Sequence, residues 1–200
     1  MDKIKIAITG GIGSGKSTAL EYVKGLGYDT FSCDEIYKQI CATDEYGRAL
    51  AQAFPNCVQS GEIDRQMLSA LVFSDNAALK RLNELSHGRI MAALHDGISK
   101  AKTELVFAEV PLLFEGGYET GFDYVIVIMR DIEKRVKSIC ERNNVSAAEA
   151  LSRINNQWDY DNPQNRVYLQ NEKFISLWNN LDVSHLELQL QHVVQRIMKQ

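Results

Sequence analysis

The segment Gly10-Gly11-Ile12-Gly13-Ser14-Gly15-Lys16-Ser17 fits the spacing G-x-x-x-x-G-K-[ST]. Each part of that pattern answers a requirement of phosphate chemistry. Glycines reach positive φ and carry no Cβ, so backbone N–H groups can turn inward around phosphate oxygens. A helix that starts where the run ends adds unsatisfied donors and the positive end of its dipole. Lys16 supplies a mobile charge for the β- and γ-phosphates, and the Ser17 hydroxyl can ligate Mg²⁺. A plain Gly-rich turn with a surface lysine is the competing reading, and the flanks disfavour it. The buried-strand pattern Ile4–Thr9 precedes the run and a helical pattern, Ser17–Leu26, follows it. The expected ligand is a nucleoside triphosphate, contacted by Gly11, Ile12, Gly13, Ser14, Gly15, Lys16, Ser17 and Thr18.

Two acids complete the candidate chemistry. Asp34 follows the β-rich run Tyr28–Cys33 and starts a helix. At the carboxyl edge of a parallel sheet, such a residue faces the same crevice as the phosphate loop. A carboxylate there could accept a proton from an attacking hydroxyl or hold Mg²⁺ through water. Asp is also a favoured helix N-cap, a role compatible with the first. Glu109 closes the run Glu104–Val110, where phosphate-loop proteins carry a metal-associated acid; an acid there can also be simply solvated at the sheet edge. Ser17 and Glu109 are therefore the candidate Mg²⁺ residues. Leu112, Leu113 and Phe114 follow in a loop, as ordinary core or as a wall for a substrate.

The elements that must position these groups are legible as alternating patterns. Five short runs read as strands: Lys3–Thr9, Tyr28–Cys33, Glu104–Val110, Tyr124–Met129 and Lys173–Trp178. The first, third and fourth are almost continuously apolar, as strands buried on both faces of a parallel sheet must be. Helical patterns lie between them, which predicts an α/β fold with a parallel sheet covered by helices. Two intervals exceed a simple crossover. Glu35 to Lys102 carries several helical patterns, with Ser74-Asp75 offering a cap before a long helix over Ala77–Lys102. Asp131 to Gln170 is polar and mostly helical, and Ser146 with Glu149 three residues on forms a capping box. Both intervals look like helical insertions suited to binding a substrate and closing over it. The last helix, Ser184–Lys199, places Leu186, Leu190, Val193, Val194 and Ile197 on one face, which should pack on the sheet.

Composition excludes classes without naming a function. The 200 residues are 45% hydrophobic and 24% charged, with a net charge of −4, values ordinary for a globular chain. Such a length suits one domain, or a core with appended subdomains. The mildly acidic balance offers no electrostatic footprint for nucleic acid. Cys33, Cys41, Cys57 and Cys140 show no C-x-x-C pair and read as free thiols. No run of about 18 apolar residues suggests a membrane span, and no signal peptide is apparent, so a cytoplasmic location is expected.

Taken together, several segments resemble the dephospho-coenzyme A kinase family, and the resemblance runs nearly end to end. The matching pieces are Ile8 through Thr18, the Asp34 segment, Gly61-Glu62-Ile63-Asp64-Arg65 with Leu68, Val72 and Phe73, and Val110-Pro111-Leu112-Leu113-Phe114-Glu115. Arg142 and Gln157 fit the family's lid helices. The resemblance implies a P-loop NTPase-type three-layer fold: one kinase domain over residues 1–200, with a helical substrate-binding insertion at about 35–102 and a lid at about 131–170. It implies ATP and Mg²⁺ as cofactors and phosphorylation of the ribose 3′-hydroxyl of dephospho-CoA, without nucleic-acid or membrane partners. Asp34 would activate that hydroxyl, Lys16 would act on the phosphates, and Arg142 would neutralise the transferring phosphoryl group as the lid closes. Without the resemblance, Arg142 reads as a solvated helix-end charge. Three positions depart from the family. Ser32 stands where an Asp is usual, Gly88 follows His87 where His-Pro is usual, and Ser138 stands one turn before Arg142, where a further lid arginine is common. Lys134, Arg135 and Lys137 are near enough to substitute in part. The alternatives are another small-molecule P-loop kinase, acting on a nucleoside or nucleotide, or a nucleotide-binding regulatory protein with weakened catalysis. Oligomeric state is left open.

Overall fold

The computed structural model describes residues 3–199, with Phe73 described through its backbone alone. In chain order the elements are β1 (Ile4–Thr9), α1 (Lys16–Gly25), β2 (Asp29–Ser32), α2 (Cys33–Cys41), α3 (Asp44–Ala53), β3 (Val58–Gln59), β4 (Glu62–Ile63), α4 (Arg65–Ser74) and α5 (Asn76–Lys100). They continue with β5 (Leu105–Glu109), β6 (Tyr124–Met129), α6 (Ile132–Asn143), α7 (Ala147–Asn155), α8 (Pro163–Tyr168), β7 (Phe174–Trp178) and α9 (Val183–Ile197). All five expected strands are present. The chain divides into two compact units, Phe31–Lys100 and the combination of Met1–Thr30 with Ala101–Gln200.

The larger unit is built on a sheet of order β2-β5-β1-β6-β7. β1 pairs in parallel with β5 (Ile6 opposite Phe107) and with β6 (Ile8 opposite Ile126). β6 in turn pairs in parallel with β7. The central strands are apolar at consecutive positions because both faces are covered: Ile6, Ala7 and Ile8, Leu105 to Ala108, and Val125 to Val127 are fully buried. One core combines Ile6, Ile8, Phe107, Ile126 and Ile128 with Ala19, Leu20 and Val23 of α1 and the five predicted apolar positions of α9. The start of β2 is stapled to the turn before β5. The Asp29 carboxylate accepts N–H groups from Lys102 and from Thr103 (2.9 Å), and these bonds hold its pKa below the ordinary carboxylate value. The capping box of α7 forms as expected, with Glu149 N–H donating to Ser146 Oγ at 3.2 Å and Ser146 N–H to Glu149 Oε2 at 3.0 Å.

The smaller unit is helical around Tyr46, Leu50, Phe54, Cys57, Leu68 and Ala78. Tyr46 and Ser86 hydroxyls lie 2.6 Å apart inside it, satisfying both buried oxygens. The Gly61–Arg65 motif acquires a local meaning. Ser60 and Gly61, both at positive φ, turn the two-residue strands β3 and β4 into a hairpin, and Asp64 then caps α4 through Gln66 N–H (2.8 Å). Strands so short carry no periodicity, so the hairpin was not among the expected elements. Asp75 Oδ1 accepts Ala77 N–H at 2.8 Å, starting α5 one residue before the predicted position.

Gly88 lies inside α5, and a Cβ there would meet no atom within 4 Å. Gly88→Ala is expected to stabilise the protein by about 0.5–1 kcal/mol, through a less entropic unfolded chain. Chemical denaturation of the two proteins measures it, and a destabilised variant would contradict the open environment of this position.

Candidate functional site

The phosphate loop connects the carboxyl end of β1 to α1, the strand-to-helix arrangement the spacing demands. Gly15, left-handed at φ 105°, occupies the N-cap of α1. No side chain caps the N-terminus of α1, and no acid in its first turn offsets the helix dipole. Lys16 is 8% exposed, and its Nζ lies across the loop, donating to Gly11 O at 3.2 Å. Ser14 N–H donates to the same carbonyl at 3.1 Å, closing the turn. Ser17 Oγ lies 3.2 Å from Glu109 Oε1, and Glu109 is buried at the end of β5. The two candidate Mg²⁺ residues therefore meet, although 92 positions separate them. Thr18 is exposed in the first turn of α1.

The outer side of the loop is gripped carbonyl by carbonyl. Arg135 Nε donates to Ile12 O at 3.0 Å, Arg130 Nη1 to Gly13 O at 3.0 Å, and Asn179 Nδ2 to Ser14 O at 2.8 Å. Ile12 N–H donates to Gln157 Oε1 at 2.6 Å, so this N–H is already engaged within the chain. Close approach explains the small residues. A Cβ on Gly11 would fall on the Arg135 guanidinium, and one on Gly13 would stand 2.9 Å from Arg135 O. α6 packs against the loop through the same surface, with Ile12 seated beside Ile139, Ala150 and Ile154. The amino-acid sequence did not single out Arg130 or Asn179, and it offered Arg135 only as one of three substitutes for a lid arginine, because no motif contains them. Arg130 and Asn179 do carry a positional signal, since each directly follows a strand at the sheet's carboxyl edge.

Tyr160 is 4% exposed and its hydroxyl lies 3.4 Å from Thr9 Oγ1; burial pushes its pKa up. Thr9 Oγ1 also donates to Val110 O at 2.8 Å. The Val110–Glu115 segment divides its labour. Leu113 is fully buried and Leu112 is exposed. Phe114 stacks on Trp158 at 4.4 Å between ring centres and meets Tyr160, Tyr168 and Phe174 edge-on. Glu115 Oε1 accepts Trp158 N–H at 2.8 Å. Leu113 is thus core, and Phe114 fastens the loop after β5 to the segment following α7.

Asp34 is the second residue of α2, exposed. The N-cap of that helix is Ser32, whose Oγ accepts Glu35 N–H at 3.4 Å. The capping reading of Asp34 thus passes to Ser32, one of the departures from the family. Arg142 is exposed in the last turn of α6, where its Nε donates to Asn143 Oδ1 at 3.2 Å; among the described residues it makes no hydrogen bond to the phosphate loop.

A parallel sheet with a glycine-rich loop, a lysine and hydroxyl at its end, and an acid closing the adjacent strand defines the P-loop kinase class. The likeness extends to a shikimate kinase from Acinetobacter baumannii at 14% identity (TM-score 0.55, 98% of this chain and 94% of that one), which concerns the fold alone. The dephospho-CoA kinase family model matches residues 4–175, and the chain belongs to that family. A dephospho-CoA kinase of Thermus thermophilus is 34% identical over 164 residues, covering 82% of this chain and 80% of that protein. Among solved structures, TT1252 from Thermus thermophilus superposes with a TM-score of 0.81 at 32% identity, covering 98% of both chains. Dephospho-CoA kinase from Campylobacter jejuni gives 0.63 at 28%, covering 98% and 97%.

Gly13→Ala places a Cβ at φ 78° against a backbone oxygen. The left-handed conformation alone costs about 1–2 kcal/mol, and the contact with Arg135 O adds to it. The variant is expected to lose stability by at least that amount together with its affinity for ATP. Thermal melts with and without ATP test this, and a wild-type melting shift on adding ATP would refute it.

Proposed function

We propose that the protein transfers the γ-phosphoryl group of ATP to the ribose 3′-hydroxyl of dephospho-CoA, giving coenzyme A. The phosphate loop, set in a chain that belongs to the dephospho-CoA kinase family over residues 4–175, carries the reading. Phosphoryl transfer asks the protein mainly for positioning and charge stabilisation. The loop N–H groups other than those of Ile12 and Ser14, which the chain itself engages, and the α1 N-terminus hold the phosphates, and Lys16 exchanges its contact with Gly11 O for phosphate oxygens. Ser17 and Glu109 present paired hard oxygens, the donor type Mg²⁺ prefers. A Mg²⁺ ion here would be held largely by phosphate oxygens and water, as Mg²⁺ in phosphate sites commonly is. When bound, Mg²⁺ would offset the negative charge of the β- and γ-phosphates.

Asp34 is the acceptor-activating base. Ser32 relieves it of capping α2, which leaves its exposed carboxylate able to take the 3′-hydroxyl proton. Arg142 belongs to the lid and reaches the transferring phosphoryl group on closure, which also keeps water from competing as acceptor. The helical stretch at about 35–102 serves the acceptor and that at about 131–170 the lid. The four cysteines are free thiols, as in a reducing compartment. Among the described residues no helix is long and apolar enough to cross a membrane. We assign the enzyme to the cytoplasm, acting on two small molecules.

Purified protein with ATP, Mg²⁺ and dephospho-CoA should form CoA, and a Lys16→Ala control should lose nearly all of it. Turnover no greater than that control, or preference for a nucleoside acceptor in the same assay, would overturn the reading. Asp34→Asn should bind ATP normally while kcat falls about 10²–10⁴-fold, the usual worth of a general base. A fully active variant would remove Asp34 from the mechanism.

A further inference from the structure

We propose that Arg130 and Arg135 are positioning residues for ATP: by holding the Gly13 and Ile12 carbonyls outward they set the phosphate loop in its binding conformation and place two positive charges behind it. The inference rests on the nucleotide-binding reading of the loop.

A peptide unit is planar and trans, so pinning one carbonyl aims the N–H of the next residue the opposite way. Arg135 Nε on Ile12 O therefore directs Gly13 N–H, and Arg130 Nη1 on Gly13 O directs Ser14 N–H, both at 3.0 Å. Ser14 N–H points to Gly11 O, the carbonyl that Lys16 Nζ also reaches, so these groups share the other side of the loop. Both grips are charge-assisted, roughly twice as strong as neutral hydrogen bonds, and a polarised carbonyl makes the N–H of its own amide a stronger donor.

The burial of Arg135 gives the arrangement its direction. The residue is 5% exposed, and among the described residues no carboxylate lies within ion-pair distance of its guanidinium. Burial lowers its pKa, with Asp161 and Asp159 opposing that shift from a distance. A desolvated, incompletely compensated cation beside a phosphate site gains when a polyanion arrives. Of the three cations near Ser138 in α6, Arg135 alone turns to the loop. Lys134 donates to Asn180 O, and Lys137 pairs with Glu141 at 4.0 Å in solvent. Ser138 itself is recruited to the grip, since Arg130 Nη1 also donates to its Oγ at 3.0 Å.

Calorimetric titration with ATP of wild type, Arg135→Gln, Arg130→Gln and Ser138→Ala tests the proposal, alongside KM for ATP and for dephospho-CoA. Glutamine keeps an N–H donor and removes the charge. Each glutamine variant should weaken ATP binding about tenfold, the order of the difference between a charge-assisted and a neutral hydrogen bond, with KM for dephospho-CoA unchanged. Arg135→Lys should recover part of the loss. Ser138→Ala, a substitution a helix tolerates well, should weaken ATP about two- to fivefold, and supplies the measurement if the arginine variants fail to fold. Lower melting temperatures with unchanged ATP affinity would make both arginines merely structural and overturn the proposal, as would equal weakening of both substrates. A wild type that binds no ATP would instead overturn the nucleotide reading, and this inference with it.

Discussion

The backbone of residues 10–15 folds into a tight turn, closed by Ser14 N–H on Gly11 O, whose other carbonyls must find partners elsewhere, and this constraint organises the surrounding structure. Consecutive carbonyls at Ile12, Gly13 and Ser14 are met by Arg135, Arg130 and Asn179. The loop's shape is thus upheld from outside by side chains rather than by its own hydrogen bonds alone. Glycine at positions 11 and 13 is the steric counterpart, since the gripping helix comes close enough to exclude a Cβ.

Those grips recruit distant parts of the chain. Arg130 and Asn179 follow neighbouring strands, β6 and β7, and the ladder between them continues past the strands through Asn179 N–H to Met129 O at 2.8 Å. Arg135 comes from α6 and Gln157 from the turn after α7, so the segment between them is fastened to the loop at two well-separated points. The aromatic group around Phe114 ties the same segment to the end of β5, next to Glu109. The most completely buried part is the sheet and its α1–α9 core, where consecutive strand residues have no exposure. Arg142 is exposed in the last turn of α6, away from the Arg135 grip.

Much of this was readable beforehand because it depends on local chemistry. The loop spacing, the doubly buried strands and the Ser146 box each appear in a few adjacent residues, and the structure contains them. Asp34 and Glu109 were visible as acids ending or following strands, with two readings each. Folding places Glu109 against Ser17 and gives the cap of α2 to Ser32. The β3–β4 hairpin left no periodic trace, as its strands have two residues each.

What the sequence determined by itself was the kind of site: a strand, a glycine-rich turn, a lysine and a helix, whose geometry follows from short-range backbone preferences. It could also count the cations of α6 but not rank them. Lys134, Arg135 and Lys137 differ by only a few positions. Only one of them reaches the surface lined by Gly11 and Tyr160, residues that lie far from Arg135 along the chain. Burial and hydrogen-bond partners are properties of that assembled surface, so the choice of Arg135, like the meeting of Ser17 with Glu109, was made only by tertiary structure.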